Sequence, residues 1–137
     1  MSLVLPSAAE KTALDFMLGV TVPGNQTLKL FTNNIAPADT DTAATYTEMS
    51  TLGYVAKTLT KTAWVTTAGA TGAPASSVQP QQTFTFTAGT LVTVYGYYVI
   101  DSTTGLLLWA ESFGGGKDIQ NAGDQIIIVP TITLSRV

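Results

Sequence analysis

Apolar and polar positions alternate along much of the chain with a period of two, the spacing that sends successive side chains to opposite faces of a strand. Thr83-Phe84-Thr85-Phe86-Thr87 puts both phenylalanines on one face and the threonines on the other. Thr27-Leu28-Lys29-Leu30-Phe31-Thr32 alternates likewise, with Leu28 and Leu30 sharing a face. Residues 91–100 form a longer apolar run broken at Gly96, where a bulge or a close backbone approach is expected. Asp101-Ser102-Thr103-Thr104-Gly105 then reads as a hairpin turn into a strand over residues 106–113. After a break at Gly114-Gly115-Gly116, a last strand is expected over residues 125–135, where Pro130, which has no N–H for a ladder, splits the strand or sits at a bulge or edge.

Other strand signals are weaker. Residues 20–22 read as a brief strand, and residues 53–60 and 63–67 lie so close that a hairpin or one bulged strand both fit. Residues 68–80, rich in Gly, Ala, Ser and Pro, read as an exposed loop. Residues 33–50 form a long connection with a helical turn near residues 43–48, and loops of that length inside a compact domain are usually functional or interface-forming.

One segment carries helical signals instead. Ser7-Ala8-Ala9-Glu10 has capping-box spacing just after Pro6, an apolar face follows at Ala13, Leu14, Phe16, Met17 and Leu18, and Gly19 offers a C-terminal cap. Amphipathic helices usually pack on their own domain, so this face is expected to meet the core. The pattern predicts an all-β fold: a jelly-roll-like β-sandwich of seven or eight strands with one short N-terminal helix, with an immunoglobulin-like sandwich or a small barrel as alternatives. A chain of 137 residues suits one domain, with residues 1–19 as N-terminal segment and helix and residues 20–137 as the β body.

Composition narrows the chemistry. The chain has no His and no Cys, so a Ser-His dyad, a thiol nucleophile, a disulfide framework and a zinc finger are excluded. Only 11% of residues are charged, against about 25% in typical domains. The net charge of −3 gives no basic footprint for nucleic acid. The first six residues lack a basic leader region, and no apolar run approaches the roughly 20 residues of a membrane-spanning helix, so a soluble chain is expected. Neutral hydroxyls replace the missing charges: 24 Thr and 8 Ser. Thr is β-branched and suits sheet. A weakly charged surface gives little self-repulsion, so much of it is expected to face other subunits.

Candidate sites are few. Asp39-Thr40-Asp41 opens like a calcium loop, but Ala44 stands where glycine is required and Ser50 where the bidentate Glu belongs, so Asx-type turn capping is preferred over a hard cation shared with Glu48. Gly114-Gly115-Gly116-Lys117 fails as a phosphate loop, because Asp118 follows the lysine and Glu111 replaces the first glycine. Asp101, Glu111, Asp118 and Asp124 could supply an acid pair for glycoside hydrolysis, yet nothing in their spacing marks two as convergent. Trp64, Trp109, Tyr95, Tyr97 and Tyr98 fit either a glycan-stacking groove or a β core and subunit interface. No catalytic residue, metal site or cofactor is expected.

Several segments taken in order carry a resemblance: Leu28-Lys29-Leu30-Phe31-Thr32-Asn33-Asn34, Pro37-Ala38-Asp39-Thr40-Asp41-Thr42, Tyr46-Thr47-Glu48, Gly53-Tyr54, Val94-Tyr95-Gly96-Tyr97-Tyr98-Val99, Leu107-Leu108-Trp109-Ala110-Glu111 and Gly123-Asp124-Gln125-Ile126. Together they resemble a family of small tailed-bacteriophage virion proteins, most like capsid cement or decoration proteins. The resemblance implies a structural, non-enzymatic protein on the outside of a phage head, oligomeric on the shell and bridging subunits of the major capsid protein. It also implies synthesis in the host cytoplasm and carries over no catalytic residue. Similar β proteins occur in tail fibres and baseplates, which leaves binding of a host glycan or receptor as the alternative. The candidate contacts are Leu3, Val4 and Leu5 in the N-terminal segment, Phe16, Met17 and Leu18 on the helix, and Asn33, Asn34, Asp39 and Asp41 in the long loop.

Overall fold

Period-two alternation becomes sheet through most of the chain. The computed structural model describes residues 3–134, with Leu3 through its backbone alone. In chain order the elements are β1 (Leu3–Val4), α1 (Ser7–Met17), β2 (Gln26–Phe31), β3 (Lys57–Leu59), β4 (Val65–Thr67), β5 (Ala75–Val78), β6 (Gln82–Thr85), β7 (Val92–Asp101), β8 (Leu107–Ile119), β9 (Gln125–Ile128) and β10 (Thr131–Leu134). Two 3-10 turns lie at Ala43–Thr45 and Lys61–Ala63. The strands form a five-stranded sheet ordered β1-β8-β7-β2-β3, a three-stranded sheet β10-β5-β4 and a two-stranded sheet β6-β9. All pairings are antiparallel. The fold is an all-β, sandwich-like body with one helix, as the alternation predicts.

The hairpin β7–β8 is its spine. Asp101 shapes the turn, its Oδ1 accepting the backbone N–H groups of Thr103 (2.9 Å) and Thr104 (2.7 Å) and the Thr104 hydroxyl (3.1 Å). The register sets Tyr97 opposite Glu111, Tyr98 opposite Ala110 and Val99 opposite Trp109. Alternate residues of these strands enter two separate cores. Tyr97, Val99 and Trp109 pack with Leu28, Leu30, Phe84, Phe86, Ile126 and Ile128. On the other face, Tyr98, Leu107 and Ala110 pack with Phe31 and Tyr46.

The long loop supplies part of both cores. It returns along the end of β2, where Thr32 N–H donates to Thr47 O (2.9 Å) and Met49 N–H to Leu30 O (3.0 Å). Tyr46 is thereby set in one core and Met49 in the other. Its helical turn forms at Ala43–Thr45, with Thr42 N–H donating to the Thr45 hydroxyl (3.1 Å).

Several sequence expectations are corrected. The described residues hold ten strands, not seven or eight, because short ladders such as β1 and β5 carry no alternation long enough to read. Residues 53–60 and 63–67 are not a hairpin: β3 borders β2, whereas the turn at Lys61–Ala63 sends β4 to a different sheet beside β5. β5 itself rises from the stretch expected to be a loop, between β4 and β10, with the hydroxyls of Thr66 and Ser77 bonded at 3.0 Å. Residues 20–22 form no strand. The glycine triplet does not break β8; residues 113–116 bulge opposite Tyr95 alone, between the pairs Val94–Lys117 and Gly96–Ser112. The capping box at Ser7 is absent too. Pro6 is the N-cap, its carbonyl accepts from Ala9 N–H (2.8 Å), and the Ser7 N–H goes to Asp39 O (3.1 Å) in the long loop. Ser135, the expected end of the last strand, lies outside the described residues.

Gly96 is the close approach its position in the alternation suggests: a Cβ there would meet the Glu111 carbonyl and the Phe31 ring. Gly96→Ala is expected to destabilise the fold by about 1–3 kcal/mol through overpacking. Gly115→Ala, in open space, is expected to stay within about 0.5 kcal/mol of the parent. Urea unfolding midpoints of the two variants check the contrast.

Candidate functional site

The helical period gives α1 two apolar sides. Ala9 is buried against the body and Phe16, two turns on, is half-buried. That orientation turns Leu14 and Leu18 away, because positions five and nine residues from Ala9 fall on the far side of a 3.6-residue helix. Leu14 is 57% exposed, Met17 80% and Leu18 76%. The apolar face expected to meet the core therefore points outward, apart from Phe16.

The chain leaves the helix by a left-handed turn at Gly19 (φ +70°), with Val20 N–H reaching back to Asp15 O (2.8 Å). The apolar strip continues through Val20 (67% exposed) and Val22 (81%). On the other side of the helix, toward the body, opens a groove of about 690 Å³, lined by Thr12, Asp15, Phe16, Val22, Asp101 and Leu106 among others. Lys11 and Asp15 pair with each other at 2.5 Å on the helix. Leu14, Val20 and Val22 were not among the candidate contacts in the sequence. The helical period made Leu14 read as core, and the two valines read as strand.

The remaining candidates take varied places. β1 pairs with β8 of its own chain, Val4 opposite Ala110, and Leu5 is 43% exposed. Asn33 folds the long loop, its Nδ2 donating to Thr45 O (2.9 Å) and its Oδ1 accepting from Thr47 N–H (2.8 Å). Asp41 accepts from Ala38 N–H (2.9 Å) and the Tyr46 hydroxyl (2.8 Å), the turn-capping role expected of it. Asn34 and Asp39 are exposed.

Most carboxylates are committed to local structure, the exposed Glu10 and Asp39 excepted. Glu48 pairs with Lys29 (2.8 Å) and accepts from the Tyr54 hydroxyl (3.2 Å), which in turn accepts from Leu30 N–H (3.2 Å). Glu111 accepts from the Tyr97 hydroxyl, and Asp118 from the Thr93 hydroxyl (2.6 Å). Asp124 accepts from the N–H groups of Gln120 and Asn121, both at 2.8 Å, which lower its pKa below the ordinary carboxylate value. Among the described residues no group of three acidic side chains is placed to hold a metal ion.

The aromatic residues considered for glycan stacking are mostly inside. Tyr97, Tyr98 and Trp109 are buried, while Trp64 is half-buried and donates to Gln26 Oε1 at 2.9 Å. Rings cover rings: Tyr46 stacks on Tyr98 with centroids 5.0 Å apart, and Trp64 meets Trp109 edge-on at 6.0 Å. Burial, with help from Asp41, Glu48 and Glu111 respectively, pushes the phenols of Tyr46, Tyr54 and Tyr97 well above their usual value. Burial and the Glu48 charge push Tyr98 up to about 12.

Compared with known proteins, the chain matches no protein-family model and no curated sequence. The exposed apolar strip is thus the candidate functional surface on physical grounds alone.

The raised phenol pKa values carry a pH prediction. Each of these tyrosines is held neutral by the fold, so its contribution is complete below about pH 10 and is lost as pH rises through the folded value, about 12 for Tyr98. In an alkaline titration followed by tyrosinate absorbance and circular dichroism, Tyr46, Tyr54, Tyr97 and Tyr98 are expected to ionise together with loss of the fold. Ionisation of all four well before unfolding would contradict their burial.

Proposed function

We propose that the protein is a structural component of a larger assembly, a capsid cement or decoration protein of the kind its ordered segments resemble. The observation that carries this reading is the exposed strip of Leu14, Met17, Leu18, Val20 and Val22 on a surface with few charges. Large exposed apolar patches mark interaction sites on soluble proteins, and a monomer gains nothing from keeping one wet. Behind the strip stands a body whose main sheet is packed on both faces, a stiff platform for transmitting load between neighbours. Many copies docked on a symmetric shell add modest contacts into a large total. Receptor binding by a tail-fibre or baseplate domain has less support, because the Tyr97, Tyr98 and Trp109 rings face the interior.

Purified particles test this reading. Densitometry is expected to show the protein at a fixed ratio near that of the major capsid subunit, and particles lacking it are expected to rupture at lower temperature. A few copies per particle, with measurable sugar or cell binding, would favour the tail-fibre reading instead.

A further inference from the structure

We propose that the groove between α1 and the β7–β8 turn receives a lysine side chain of a partner protein, with Asp101 holding its ammonium group. The inference rests on the assembly reading above and names the chemistry of one contact that the partner makes. Among the described residues Asp101 is the one buried charged side chain, 7% exposed, and no cation there pairs with it. Buried carboxylates are normally matched by a positive charge or satisfied at both oxygens. Here only half of the group is satisfied. Oδ1 takes three bonds from the turn, and Oδ2 takes none among the described residues. Nor is Oδ2 sealed inside, because Trp109 Nε1 is the only enclosed side-chain polar atom there without a partner. It opens on the groove that Asp101 lines.

The approach to Oδ2 is kept clear. Gly24 lines the same groove, and a Cβ there would stand 3.8 Å from Oδ2 and 3.2 Å from the Thr103 hydroxyl. The φ of Gly24 lies outside the left-handed region, so the backbone does not demand glycine. What its missing side chain leaves is room. The Thr103 hydroxyl, facing the same point, adds a second acceptor for a group with three N–H donors. Asp15 also lines the groove, but Lys11 already matches it, which leaves the Asp101 charge uncompensated.

The lining selects among cations. Two carboxylates offer a metal ion too few ligands, and no group of three acidic side chains lies among the described residues. Phe16, Val22 and Leu106 form an apolar wall suited to an alkyl stem. With Oδ1 saturated the site presents one carboxylate oxygen, which fits the compact ammonium of lysine better than the bidentate fork of arginine. At about 690 Å³ the groove lies within the ~300–1,000 Å³ of binding sites generally.

Two variants of the full chain separate charge from space. Asp101→Asn keeps an oxygen for the turn and removes the charge, whereas Gly24→Val fills the approach and keeps the charge. Nα-acetyl-lysine methylamide is expected to shift the amide resonances of Gly24, Thr103 and Thr104, saturating at roughly millimolar concentration. Nα-acetyl-norleucine methylamide, which has the stem without the ammonium, is expected to bind at least about tenfold more weakly. Each variant is expected to weaken the lysine probe at least about tenfold, with an unfolding midpoint near that of the parent. Asp118→Asn, which removes an equal charge at an exposed position, is expected to change nothing. Where Asp101→Asn fails to fold, Gly24→Val carries the test.

A parent protein that does not prefer the lysine probe overturns the inference, as does an Asp101→Asn protein that binds it equally well. On particles stripped of the protein, Asp101→Asn is expected to rebind at least about tenfold more weakly than the parent, and acetylating the particle lysines is expected to weaken the parent likewise. If parent and Asp101→Asn rebind equally well, the lysine contact is wrong and the assembly reading stands. If the probe binds as described but the protein is absent from particles, the lysine groove stands and the assembly reading falls.

Discussion

Burial of the β7–β8 hairpin on both faces is the constraint on which the other elements depend. A sheet covered on one side can keep its second face polar and wet, but here Tyr97, Val99 and Trp109 need one cover while Tyr98, Leu107 and Ala110 need another. Phe84 and Phe86, with Ile126 and Ile128 of β9, supply the first. Among the described residues no further sheet closes the second cluster; Tyr46 from the long loop stacks on Tyr98 there, and Phe31 packs beside it. The bonds of Asn33 and Asp41 within that loop hold the cover in place, which explains why a connection of this length is ordered.

The helix follows from the same constraint. Its first N–H is bonded to Asp39 in the covering loop, so α1 is anchored at its start and contributes Ala9 to the interior. With the two cores already filled, Leu14, Met17 and Leu18 find no place inside, and the chain leaves them in solvent. Surface that folding leaves apolar is surface that association can use. The shortage of charge acts in the same direction, since little repulsion opposes contact between copies.

The parts of this fold written in the sequence are those with a strict local period. β6, β7, the start of β8 and the split between β9 and β10 at Pro130 follow from alternation and proline chemistry acting within a few residues. What the sequence concealed depends on partners distant in the chain. β5 is a strand because β4 and β10 flank it, although Ala75 to Val78 has no pattern of its own. The glycine triplet stays in β8 because β7 resumes pairing beyond the bulge at Lys117. The helix was legible as a helix, but its orientation was not: apolar spacing cannot tell a face that meets the core from one that meets another molecule. Asn33 and Asp41, expected as contacts, have a further role as loop fasteners that the sequence did not show for Asn33, while Val20 and Val22 read as a strand and are exposed.

Oxidative labelling of the two methionines in the described residues tests the central claim most directly, because Met17 lies in the strip at 80% exposure and Met49 lies in the core at 2%. Met17 is expected to convert rapidly to the sulfoxide in the free protein and to become protected when the protein is bound on particles, with Met49 slow throughout. Equal reactivity of Met17 in free and particle-bound protein, or rapid oxidation of Met49 in the folded chain, would contradict the account.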